Sequence, residues 1–164
     1  MRKTAGFTLI ELIVVISVIL VISVITILNY NSYSDRQRVK QAGFTLRSDL
    51  RLTQTKATSG QKPTLCASTS TLESYDVVFT TCNGKPCYEI QPICVQGGVP
   101  VDTSEEIIQT TLPNGVDFAS SYSPIRFFSV TGVTNLSADQ ALVLTGAGVT
   151  YTVSVSPSGS ISDY

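Results

Sequence analysis

From Phe7 to Leu28 the chain is apolar almost without a break. These 22 residues are Leu, Ile and Val interspersed with Phe7, Thr8, Ser17, Ser23 and Thr26, and they hold one ionisable side chain, Glu11. A helix of that length is about 33 Å long, enough to cross a hydrocarbon layer of ~30 Å. The pattern therefore predicts a membrane-spanning helix. Arg2 and Lys3, just before the run, predict that its amino end stays cytoplasmic and that the bulk of the chain lies outside. Two other readings fit less well. A secretory signal peptide has a shorter apolar core closed by a small-residue cleavage site, whereas Asn29-Tyr30-Asn31 follows this run. A helix buried in a globular core would have to house Leu12 to Leu28, which carry no charge on any face.

Beyond Leu28 the apolar positions thin to one side. Val39, Ala42, Leu46, Leu50 and Ala57 recur at spacings of three, four, four and seven, which predicts a helix with one buried stripe. Arg36, Arg38, Lys40, Arg47 and Arg51 fall outside that stripe. Residues 29–62 thus read as a continuation of the helix, making one rod of about fifty residues and roughly 80 Å. Gly43 costs about 1 kcal/mol in a helix interior, so Gly43 and Asn29-Tyr30-Asn31 are the expected sites of a bend or local melting. Thr58-Ser59-Gly60 followed by Pro63 ends the helix.

After Pro63 the pattern turns to Thr, Val, Ser, Ile and Tyr broken by Gly and Pro, which reads as strands and turns. The expected strands are Thr64 to Ser68, Tyr75 to Thr81, Cys87 to Gln91, Glu106 to Leu112, Val116 to Ala119, Ile125 to Val130, Gln140 to Thr145 and Thr150 to Ser156, with a short one over Ser160 to Asp163. Asn83-Gly84, Asn114-Gly115 and Ser158-Gly159 mark turns. In Thr150 to Ser156 the alternation is clean, with Tyr151, Val153 and Val155 on one face. The expected fold class is α+β: a long amino-terminal helix, membrane-spanning in its first half, packed against an antiparallel β-sheet head.

Composition sharpens this in two ways. The chain has 11 Lys+Arg, 12 Asp+Glu and no His, so histidine triads, histidine relays and histidine zinc sites are excluded. No phosphate-binding or dinucleotide loop is present, and the adjacent Glu105 and Glu106 would face opposite ways on a strand. An enzyme is not expected, and neither is a cofactor or metal. The charge is also split. Residues 35–62 carry seven cations against two acids, a net +5, while residues 63–164 carry two cations against nine acids, a net −7. Arg36, Arg38, Lys40, Arg47 and Arg51 could contact an anionic partner, or could simply form a solvated helix face.

Glu11 is the residue that a plain anchor does not explain. A lone carboxylate inside an apolar run costs on the order of 3 kcal/mol unless it finds a partner. Cleavage after Gly6 would free an α-amine on Phe7 that could pair with Glu11 of its own or a neighbouring helix, setting the register between them. The string from Gly6 to Val21, GFTLIELIVVISVILV, resembles the processing and methylation signal of type IV pilins and type II secretion pseudopilins. The resemblance implies a leader over residues 1–6, cleavage between Gly6 and Phe7 by a prepilin peptidase, N-methylation of Phe7, and an assembly role for Glu11. It further implies a filament-core helix over 7–28, an amphipathic continuation over 29–62 and a β-rich head over 63–164. The expected function is a structural subunit, a minor one, of a pilus or secretion pseudopilus. Its partners would be other pilin or pseudopilin subunits, an inner-membrane assembly platform and, before assembly, the lipid bilayer.

The carboxy-terminal runs PIRFFSVTG (Pro124 to Gly132), QALVLTG (Gln140 to Gly146) and TYTVSVSPSGSIS (Thr150 to Ser162) resemble the closing strands of H-type minor pseudopilins and T-type minor pilins. That likeness implies an alternative function, a tethered extracytoplasmic module that captures DNA, although the acidic head argues against it. The insertion from Cys82 to Pro100 has no place in the pattern.

Cys66, Cys82, Cys87 and Cys94 all follow the apolar run, on the side expected to be oxidising. Asn83-Gly84-Lys85-Pro86 forms a tight turn that could bring Cys82 and Cys87 together, leaving Cys66 for Cys94. The rival, a four-cysteine zinc site, lacks the two close C-x₂₋₄-C knuckles such sites use.

Overall fold

The computed structural model describes residues 6–64, 66, 69–101 and 108–164; over 24–32 it describes the helical backbone but not the side chains. Two compact units divide the chain, Met1–Asp35 and Arg36–Tyr164. The helix α1 (Leu9–Thr58, 50 residues) passes through both.

In the first unit every described side chain from Phe7 to Ser23 is exposed. The two serines bond within the helix, Ser17 Oγ donating to the Val14 carbonyl at 2.8 Å and Ser23 Oγ to that of Ile19 at 2.7 Å. Among the described residues no helix is long and apolar enough to cross a membrane. This corrects the expected membrane-spanning first half. Single-pass placement in the inner membrane loses its footing with it. So do the expected pilus or pseudopilus subunit assembled through a spanning helix and the tethered binding module. The rest of the predicted span, 24–28, and Asn29-Tyr30-Asn31 lie outside the described side chains.

The second unit is built on the helical stripe. Val39, Ala42, Leu46, Leu50 and Ala57 are all buried, and Thr53 fills the remaining stripe position with its hydroxyl bonded to the Asp49 carbonyl at 2.6 Å. The helix ends in a Schellman motif: Gly60, at φ 61°, donates to the Ala57 carbonyl and Gln61 to that of Lys56.

Two antiparallel sheets supply the rest. The first contains β1 (Thr71–Cys82), β2 (Lys85–Gln96), β3 (Val99–Val101), β4 (Ile108–Thr111) and β6 (Ile125–Phe128). Its order is β3-β2-β1-β6, and β4 pairs with the first residues of β2, so β3 and β4 share one edge of that strand end to end. The second sheet has the order β5-β7-β8-β9, with β5 (Asp117–Phe118), β7 (Gln140–Gly146), β8 (Val149–Val155) and β9 (Ile161–Asp163). Asn83 and Gly84, both at positive φ, form the two-residue turn of the β1–β2 hairpin; Ala147 and Gly148 do the same between β7 and β8. The insertion from Cys82 to Pro100 forms the second strand of the long hairpin and the start of β3. Of the expected first strand, 65, 67 and 68 lie outside the described residues, as do Glu105 and Glu106.

One core joins the stripe to both sheets, through Tyr75 and Val77 of β1, Tyr88 and Ile90 of β2, Ile125 and Phe127 of β6, Leu142 and Leu144 of β7, and Tyr151, Val153 and Val155 of β8. Among the described residues one carboxylate is buried, Asp76 of β1, and it is matched by its cross-strand partner Arg126, whose Nε and Nη2 reach both carboxylate oxygens at 2.9 to 3.1 Å. Ser74 adds a third donor at 2.8 Å. A buried charge this well bonded is tolerated, and removing either partner would strand the other.

Gly43 is not the weak point that its helix propensity suggests. A Cβ built on it would lie 2.1 Å from Tyr151 Cδ1, so the missing side chain is what lets the tyrosine ring lie on the helix. Beside it, Arg47 pairs with Asp163 at 3.0 Å and Tyr151 donates to the same carboxylate at 2.5 Å. Arg51 donates to the Ile161 carbonyl at 3.2 Å and Gln54 to that of Gly159 at 2.9 Å. Strand β9 and the turn before it are thus fastened along the helix by polar side chains from three successive turns.

Candidate functional site

The stretch from Gly6 to Glu11 is positioned by the start of α1. Thr8 is the N-cap: its carbonyl accepts from Leu12 N at 3.2 Å and its Oγ1 from Glu11 N at 3.4 Å. Thr8-Leu9-Ile10-Glu11 has the Thr-x-x-Glu spacing of a capping box, with Glu11 as the third helical residue. A carboxylate there is also favoured by the positive end of the helix dipole, by about 0.3–1 kcal/mol. Glu11 therefore has a local use beyond pairing with a freed amine. The spacing was visible in the sequence.

Phe7 lies one residue before the cap and is 79% exposed. Gly6 is also exposed, its φ is not in the left-handed region, and a Cβ added to it would meet nothing within 4 Å. The fold itself has no need of glycine at that position.

The four cysteines form two bridges, Cys66–Cys94 and Cys82–Cys87, with Cα separations of 5.9 and 5.7 Å. The first fastens the segment after the helix to β2, and the second closes the tip of the β1–β2 hairpin. Cys82, Cys87 and Glu89 lie close enough to suggest a metal site. With both sulfurs bridged, however, no thiolate is left to bind an ion.

The five cations read as a patch differ in their surroundings. Arg47 and Arg51 are committed to Asp163 and to the Ile161 carbonyl, inside the second unit. Arg36, Arg38 and Lys40 are exposed on α1. Two tyrosines have their hydroxyls fixed by helix and strand carboxylates. Burial, with the Asp49 hydrogen bond at 2.5 Å, pushes the Tyr88 hydroxyl well above its usual range. Burial, with the bond to Asp163, pushes Tyr151 up to about 12. Both are donors in fixed contacts, and neither is poised to give up a proton.

Residues 1–27 match the family described as the prokaryotic N-terminal methylation motif. No curated protein and no solved structure matches the chain. The agreement is thus confined to the amino terminus, where Gly6, Phe7 and Glu11 lie. The chain carries a prokaryotic N-terminal methylation motif characteristic of prepilin-type proteins.

Proposed function

We propose that this chain is a non-catalytic, prepilin-type protein that is itself a substrate: a prepilin peptidase cuts between Gly6 and Phe7, and the freed amine of Phe7 is then methylated. Its partners in this reading are the peptidase and other chains bearing the same kind of terminus. Gly6 carries the proposal. It sits within the matched motif, yet the fold neither strains nor crowds at that position, so a glycine requirement there belongs to an enzyme's cleft. The scissile bond also lies outside α1, in backbone with no helical bond to break, which suits the extended form in which peptidases take their substrates.

Intact-mass and amino-terminal analysis of the chain, expressed with and without a prepilin peptidase, tests this. With the peptidase present, the expected product begins at Phe7 and is heavier by one methyl group. Gly6→Val should keep Met1 while leaving the fold of the second unit unchanged. Retention of Met1 in the unmodified sequence, or cleavage elsewhere, would refute the proposal.

A further inference from the structure

At one end of the head, where the β1–β2 hairpin tip faces β5 and the loop after it, an open groove of about 490 Å³ falls within the size range of small-molecule sites. Three rings form one side of it. Phe79, Phe118 and Tyr122 pack edge to face in all three pairings, with centroids 5.3 to 5.9 Å apart. They are only partly buried, although three such rings would normally be covered in a core. The Tyr122 hydroxyl is occupied, accepting from Val143 N at 2.7 Å, so this ring offers the groove carbon surface rather than a polar group.

The opposite character lines the rest. Thr81, Ser120 and Ser121 bring exposed hydroxyls, and Asp117 brings a carboxylate. One oxygen of that carboxylate, Oδ1, takes the Phe118 amide at 2.8 Å, which fixes the side chain at the groove wall. Among the described residues that line the groove none is a cation, Lys85 standing at the hairpin tip between Gly84 and Pro86, and the part of the chain that carries the groove has a net charge of −7. That balance disfavours nucleic acid and other polyanionic ligands. The hairpin wall is held by the Cys82–Cys87 bridge, so little ordering has to accompany binding.

From this combination we infer that the groove binds a neutral saccharide. One face of a sugar ring presents C–H groups that can lie on the aromatic surface, while its rim of hydroxyls donates to a carboxylate and exchanges bonds with Thr and Ser. The inference is independent of amino-terminal processing and survives or fails without it.

The test is a chemical-shift titration of the ¹⁵N-labelled full chain, kept monodisperse in mild detergent. The probes are maltotriose, chitotriose and mannotriose, with choline chloride as an organic-cation control. At least one saccharide should shift the amides of Thr81, Phe118 and Ser121 saturably, with choline leaving them in place. Phe118→Ala should weaken binding at least ~10-fold. Thr81→Trp, which fills the groove from an exposed position and spares the core, should do the same with other resonances unmoved. The inference is overturned if no saccharide moves the groove amides, if choline alone does, or if Thr81→Trp binds like the unsubstituted protein.

Discussion

The two parts of α1 differ in what their apolar residues do. Between Leu9 and Ile22 the side chains are more hydrophobic than anywhere else in the chain, and every one of them is exposed. Between Arg36 and Thr58 apolar residues are sparser, yet Val39, Leu46, Leu50 and Ala57 are at most 1% exposed. Hydrophobic content marks the first part, and hydrophobic placement stabilises the second. A stripe with one face can be covered by two sheets. A helix that is apolar all round has no polar side to leave in water, and none of the described residues of its own unit covers it.

The largest expected break in this contrast comes from truncating one leucine in each part. Leu50→Ala should cost about 3 kcal/mol, from lost burial plus the cavity left between helix and sheets. Leu12→Ala, at an exposed position, should change stability by less than ~0.5 kcal/mol. Denaturant unfolding monitored on the head would show both. Equal losses would mean that the first part is packed as well.

A smaller effect sharpens the contrast at Gly43. Alanine would gain about 1 kcal/mol of helix propensity. Its Cβ would also drive into the Tyr151 ring, and such overpacking costs typically ~1–3 kcal/mol. The expected sum is a net loss of about 1 kcal/mol. Ser17→Ala, in the exposed part, should have no measurable effect on unfolding.

The smallest effect is a pH dependence. Tyr151 is raised from 10.0 to about 12 in the folded protein, so the native state holds that proton more tightly than the unfolded chain does. The associated stability is fully present below pH 10.0 and is lost as pH rises toward about 12. Thermal unfolding midpoints should fall over that window, and less steeply in Tyr151→Phe. Tyr88, shifted upward for the same reasons, should leave some dependence in that variant, which Tyr88→Phe then removes.

Local features were the ones legible in the sequence. The spacing of Val39, Ala42, Leu46, Leu50 and Ala57 located the buried face, and alternation in Tyr151, Val153 and Val155 located a core-facing strand. Asn83-Gly84 located the hairpin turn, and the short loop it closes brought Cys82 to Cys87, leaving Cys66 to Cys94. Distant partners were not legible. Gly43 was read by propensity because its reason, the ring of Tyr151, enters from the other end of the chain. Arg47 and Arg51 were read as surface charge for the same cause, since Asp163 and Ile161 meet them only through β9. The span was overread because hydropathy alone says how greasy a run is. The aromatic groove escaped notice because Phe79, Phe118 and Tyr122 sit on separate elements.

The fastening of β9 to the helix also bears on how the head forms. Arg47 and Asp163 are 116 positions apart, so their pairing closes a very long loop, and the entropy of that closure must be met before the contact returns anything. The β1–β2 hairpin, closed by a two-residue turn, carries no such delay. Folding of the head should therefore be slow for its size and run from hairpin to strap. Until the strap arrives, the tyrosine-lined flank of the helix stays open to water and to other molecules.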